Sequence, residues 1–259
     1  MEDITITFLG TGTSQGVPVI GCDCRVCSSE DLRDRRSRAS IYVETPEIAF
    51  VVDTGPDFRA QCLREKVRRL NAVVFTHSHT DHIMGFDDLR PFCPGGAPIP
   101  VYGSETTIHD LQRVFIFAFN GENRFPGYVN PVPNIVMEPF RLGETLLTPL
   151  PVPHGRATVF GYLFMRCGER LAAYLSDCKS VPEAVIEQIR GVQHLILDAL
   201  RYKPHPTHMN IEEALAVSSK VQPGCTWLTH LSHDLMHAEL ESELPESVRI
   251  AFDGLKLTL

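Results

Sequence analysis

The stretch Thr76-His77-Ser78-His79-Thr80-Asp81-His82 sets the strictest condition on any fold this chain can adopt. Three imidazoles and a carboxylate fall within six positions, directly after the apolar run 72–75. An apolar run of that length reads as a short buried strand, so the polar side chains sit at its C-terminal end. His77 and His79, two apart in extended backbone, project to the same side. Neutral imidazoles suit zinc, manganese or iron, and a carboxylate adds charge balance and a hard oxygen. A hydrogen-bonded polar loop with surface histidines accommodates one or two such residues, but this density points to a metal site. The fold must therefore bring a sheet edge and further ligands to this loop.

The chain can supply that sheet. Its 259 residues, 43% of them hydrophobic, suffice for one large domain spanning 1–259 with a substantial core. Strands are predicted at 4–9, 40–45, 48–52, 72–75, 99–102, 146–152, 160–165, 171–175, 194–198, 226–229 and 255–259, with Pro46-Glu47 marking a hairpin. Helix starts are predicted from the capping-box spacing of Ser180-Val181-Pro182-Glu183 and Asn210-Ile211-Glu212-Glu213. The acidic opening MEDITITFLG lacks the character of a signal peptide, and no apolar run approaches the roughly 20 residues of a membrane span. A cytoplasmic protein without membrane attachment is expected. The net charge of −8 argues against an extended nucleic-acid partner, which clustered Lys and Arg would grip. A small anionic ligand remains compatible if metals or a few arginines supply local positive charge.

A second cluster lies at Gly21-Cys22-Asp23-Cys24-Arg25-Val26-Cys27. Three thiols cannot all pair with one another. In a reducing compartment such a cluster binds metal or does redox work. Cys62, Cys93, Cys167, Cys178 and Cys225 show no comparable spacing and read as small neutral residues.

His-Ser-His-Thr-Asp-His resembles the HxHxDH signature of the metallo-β-lactamase superfamily. The resemblance extends to Val52-Asp53-Thr54-Gly55, Pro153-His154-Gly155, Ser176-Asp177-Cys178 and Thr229-His230, each ending a predicted strand. It implies an α/β (α+β) fold, a four-layer αββα sandwich of two mixed β-sheets flanked by helices. It also implies two divalent ions in the active site, manganese or zinc: one held by His77, His79 and His154, the other by Asp81, His82 and His230, with Asp177 bridging. Asp53 reads either as a residue orienting a ligand imidazole or as a turn former before Thr54-Gly55. Within the superfamily, the PhnP-like branch carries CxCxxC with a distant histidine as a structural zinc site. That implies one structural zinc on Cys22, Cys24, Cys27 and His233, fastening the loop near 21–28 to the turn bearing His230. The rival, a redox pair, leaves one cysteine over.

The opening Phe8-Leu9-Gly10-Thr11-Gly12-Thr13-Ser14-Gln15-Gly16-Val17-Pro18 also resembles the phosphodiesterase branches. Its glycines serve tight turns or bring N–H groups to an anion. His208 matches the branch's catalytic histidine. The implied activity is hydrolysis of a small cyclic or nucleotide-like phosphodiester by a metal-bound hydroxide, with Asp81 at the catalytic centre and His208 as general acid. The alternatives are a tRNA 3′-end endonuclease and a thioester or lactam hydrolase. Two features stay open. The arginines of 32–38 read as a solvated connector or as a phosphate contact. The aromatic segment 108–128 reads as a lid, a base-stacking wall, a homodimer contact or plain core.

Overall fold

A computed structural model describes residues 4–121, 125 and 127–259; the acidic start 1–3 and residues 122–124 and 126 of the aromatic segment lie outside the described residues. One sheet holds β1 (Thr5–Gly10), β2 (Ser40–Glu44), β3 (Ala49–Val52), β4 (Ala72–Val74), β5 (Ile99–Gly103) and β6 (Pro131–Ile135). The other holds β7 (Phe140–Leu142), β8 (Thr145–His154), β9 (Ala157–Arg166), β10 (Glu169–Leu175), β11 (His194–Asp198), β12 (Cys225–Thr229) and β13 (Val248–Ile250), while β14 (Lys256–Thr258) joins the first sheet beside β1. In each sheet four of the seven strands run parallel: β3 to β6 in the first and β10 to β13 in the second.

Alternation along the strands divides the apolar side chains between two faces. Phe50, Val52 and Val74 meet Tyr162, Phe164, Tyr174 and Ile196 between the sheets. Their neighbours Val51 and Val73 face outward onto Phe58, Ile108 and Leu111 of α1 (Phe58–Glu65) and α3 (Glu105–Val114), with α2 (Thr80–Ile83) following β4. On the far side, Leu195 and Leu197 pack with Val185 and Ile186 of α5 (Glu183–Ile189), Ala214 of α6 (Ile211–Val221) and Leu240 of α7 (His237–Glu243); α4 (Ile116–Phe119) follows α3. Helix, sheet, sheet and helix thus form the four layers of the expected sandwich. Among the described residues no helix is long and apolar enough to cross a membrane.

Several expectations are corrected. β6 reads poorly because Pro131 and Pro133 cannot donate to a ladder, which an edge strand tolerates. The three-residue strands β7 and β13 are too short for an alternating pattern. Ser180 does not cap α5, because Pro182 occupies the cap in extended backbone without a side-chain bond. Asn210 and Glu213 do form the full capping box of α6.

The arginine run is no solvated connector throughout. Arg36 is buried and donates to the carbonyls of Ser232 (2.8 Å) and Leu235 (2.7 Å) and to Asp34 (3.0 Å). Asp34 in turn accepts the His237 N–H at 2.8 Å. Arg33 pairs with Asp31 and Glu241, and Arg38 with Asp57. The run thus ties the N-terminal loop to segment 232–237. Arg36→Ala strands Asp34 and two carbonyls, and should cost about 3–5 kcal/mol, read as a lower urea midpoint at an unchanged denaturant slope. An unchanged midpoint would show that the network is dispensable.

The aromatic segment divides. Phe115 and Phe119 stack on Phe86 in the core, with ring centroids at 4.7 and 5.7 Å. Phe117 and Phe125 are exposed, and Arg90 lies over the Tyr128 ring.

Candidate metal centre

The parallel strands of both sheets end at one edge of the sandwich, where ligands of open α/β sheets gather. Asp53 follows β3, the histidine motif follows β4, Asp177 follows β10, and His230 follows β12. His154 ends β8. Close packing holds the loops together: a Cβ on Gly55 would lie 2.1 Å from the Asp81 carbonyl oxygen. Asp53 and His230 adopt positive φ of 66° and 58°, uncommon for residues other than glycine and concentrated at functional sites.

Two ligand groups converge. The donor atoms of His77, His79 and His154 lie within 4.8 Å of one another, as do those of Asp81, His82, Asp177 and His230. Asp177 stands between them: its carboxylate is 3.3 Å from His82 Nε2, 3.4 Å from His230 Nε2 and 4.0 Å from His77 Nε2. On two of the rings the far nitrogen is already engaged. Asp53 stands 2.8 Å from His82 Nδ1, and accepts the Thr76 N–H (2.8 Å) and hydroxyl (2.7 Å). His154 Nδ1 donates to the Thr207 carbonyl at 3.0 Å. Asp53 thereby fixes the His82 ring from behind, the arrangement that acceptors take up behind metal-bound histidines.

These donors fit divalent ions. The Nε2 atoms of His77, His82 and His230 and Oδ1 of Asp177 are buried without a hydrogen-bond partner, a costly arrangement for polar atoms unless something binds them. Electrostatics agree. Burial opposes the Asp177 charge, yet His230 and His82 hold its carboxyl well below the usual range. Burial likewise opposes charge on His230, and Asp177, Asp81 and Asp198 together outweigh it, raising the ring to about 9. In the metal-free site the His230 proton thus stands in for the positive charge that a bound cation would set against Asp177.

His208 stays outside both groups but beside them, its ring centroid 4.7 Å from those of His154 and His230. Its Nδ1 lies 2.7 Å from Asp198 Oδ2. Burial, followed by His230, lowers its pKa to about 4, while burial raises that of Asp198. One proton is thus shared between the two. Asp198 escaped the sequence reading, although it ends an apolar strand just as Asp53 and Asp177 follow theirs. That shared pattern was the available signal.

The second cluster also assembles. His233 Nδ1 stands 3.3, 3.5 and 3.6 Å from the sulfurs of Cys22, Cys24 and Cys27. A tetrahedral zinc with Zn–S of about 2.3 Å and Zn–N of about 2.0 Å sets S···N near about 3.5 Å. The three thiols are free rather than disulfide-bonded. The Cys27 N–H bonds to Cys24 Sγ at 3.4 Å and lowers that thiol to about 6, toward the thiolate a metal requires. The glycine loop does not offer its N–H groups to an anion: Gly12 N–H bonds to Ser37, Thr13 N–H to Leu231 and Gly16 N–H to Thr13.

Residues 49–231 match the Beta-lactamase superfamily domain. A diphosphatase from the PhnP family, known by crystal structure, is 43% identical, with a TM-score of 0.91 over 99% of this chain and 97% of that one. An octanoyltransferase of Porphyromonas gingivalis is 36% identical over 96% of this chain, which spans only 50% of that relative's length. Zinc-bound PqqB from Methylobacterium extorquens, 21% identical with a TM-score of 0.80 over 98% of this chain and 100% of that one, shares the fold. Divalent metal binding is what this fold implies. The chain belongs to the β-lactamase superfamily, in its PhnP-like branch, and has the metallo-β-lactamase fold.

Proposed function

We propose that the chain is a dinuclear metal-dependent phosphohydrolase that cleaves a small phosphodiester or diphosphate. The observation that carries this reading is Asp177, buried between the group of His77, His79 and His154 and that of Asp81, His82 and His230. His77, His79 and His154 would hold one ion, Asp81, His82 and His230 the other, and Asp177 would bridge. Bound there, zinc or manganese would polarise phosphoryl oxygens and lower the pKa of a water.

The chain's own residues do the rest. Asp53 and the Thr207 carbonyl fix two ligand rings. Hydrolysis adds water across the P–O bond, so the leaving oxygen must gain a proton. His208, oriented by Asp198, stands beside both ligand sets to deliver it. With a pKa near 4 the neutral ring cannot act alone, so the proton comes from the Asp198–His208 pair as a unit. The 43% identity to a PhnP-family diphosphatase supports phosphoryl substrates. The likeness to part of an octanoyltransferase favours, as a second reading, an acyl thioester.

A panel of bis-p-nitrophenyl phosphate, a ribose cyclic phosphate, a diphosphate, precursor tRNA, an octanoyl thioester and nitrocefin, each with manganese or zinc, tests this reading. Turnover of the thioester alone would replace it. His208→Ala should lower kcat by roughly 10²–10⁴-fold without changing metal content, and Asp198→Asn should approach the same loss by removing the carboxyl that shares the proton. The loss should shrink for leaving groups that need little protonation. Equal losses on activated and poor leaving groups would remove the acid role.

A further inference from the structure

The loop between β11 and α6 carries a second histidine that the proposed chemistry does not use. His205 Nδ1 accepts the backbone N–H of Thr207 at 3.3 Å and lies 3.2 Å from the Thr207 hydroxyl. A backbone N–H can only donate, so Nδ1 holds a lone pair and the neutral ring keeps its proton on Nε2. Burial, followed by His208, lowers the pKa of this ring and keeps it neutral. The ring is half-buried and 5.2 Å from that of His208, yet belongs to neither ligand set.

Its setting is rigid. Thr207 uses its carbonyl to orient the ligand His154 and its amide to orient His205, so one residue registers both rings. Arg201 fastens the approach to the loop through the carbonyls of Lys203 (3.2 Å) and Pro204 (3.1 Å). A fixed N–H donor whose ring centroid lies 5.2 Å from that of His208 stands near the atoms attached to the oxygen that His208 would protonate.

We propose that His205 is a substrate contact whose Nε2–H donates to an oxyanion on the leaving group, so that the site favours phosphoryl substrates leaving as a phosphate over those leaving as an alcohol or phenol. This rests on the phosphohydrolase reading above and narrows it to diphosphates. A hydrogen bond to a charged acceptor changes binding by roughly 10–100-fold.

Steady-state kinetics on diadenosine diphosphate, whose leaving group is a nucleoside monophosphate, and on bis-p-nitrophenyl phosphate test it. His205→Ala should raise KM for the diphosphate by roughly 10–100-fold at nearly constant kcat, and change bis-p-nitrophenyl phosphate hydrolysis by less than about threefold. His205→Gln, which keeps an N–H donor, should recover part of the loss. Thermal melts check both variants, and if the alanine variant melts early the glutamine variant carries the substrate comparison. Equal losses on the two substrates, or no loss on either, would overturn the role of His205 alone. A wild-type chain that cleaves neither substrate would overturn the phosphohydrolase reading and this inference with it.

Discussion

Asp177→Ala is expected to lower kcat/KM for phosphoester hydrolysis by more than about 10⁴-fold, over 5 kcal/mol of transition-state stabilisation. The carboxylate lies against three Nε2 atoms, so its loss disturbs both ligand sets at once. Metal analysis should show both active-site ions weakened while the fold persists. The metal-free protein offers a separate readout. Burial disfavours the charged His230 ring, but the neighbouring carboxylates, Asp177 foremost with Asp81 and Asp198, lift it from 6.5 to about 9. A raised pKa stabilises the folded state below the unfolded value and loses that contribution as pH climbs through the folded one. Metal-free wild type should therefore lose stability between about pH 6.5 and 9, and Asp177→Ala should lose much less. Wild-type turnover by a verified Asp177→Ala protein would sink the dinuclear mechanism.

Cys24→Ser should remove one tightly bound zinc and lower the melting temperature by roughly 10 °C or more. Structural zinc contributes apparent free energies of about 10–16 kcal/mol in small domains. Losing even about 5 kcal/mol shifts Tm by roughly 2–4 °C per kcal/mol in chains near this size. Thiolates prefer zinc to manganese, so that zinc should remain when manganese fills the His/Asp centre. Activity should fall indirectly, because His233 and the catalytic-edge His230 share one short turn, and His233→Ala should behave alike. Elemental analysis with anomalous scattering decides the matter. A Cys24→Ser protein that keeps its full zinc and melting temperature would make the cluster an unliganded set of thiols.

Much of this was legible in the chain itself. The ligand motif announced a strand end because apolar residues 72–75 ran straight into it, and the alternating strands 4–9 and 40–45 announced their faces. The distant donors His154, Asp177 and His230 were another matter. Each is an ordinary polar residue at a strand end, and only their order after the histidine motif marked them. Asp198 stayed hidden because its partner His208 lies on a loop whose return to β11 no periodicity encodes. Arg36 was misread for a related reason. Neighbouring acids made the run look solvated, whereas Asp34 accompanies Arg36 into the interior. Proline-bearing β6 was missed because local propensity lost to edge position.

The proposed ligands come from both sheets, with His77, His79, Asp81 and His82 on one side and His154, Asp177 and His230 on the other. An ion pair bound there is a non-covalent crosslink between segments far apart in the chain. Like a disulfide that closes long loops, it would restrict the denatured ensemble as well as hold the native one. Chelation should then act first on the seam between the sheets. Amide exchange should quicken there, in the loops after β4, β8, β10 and β12, before the strand centres of either sheet open.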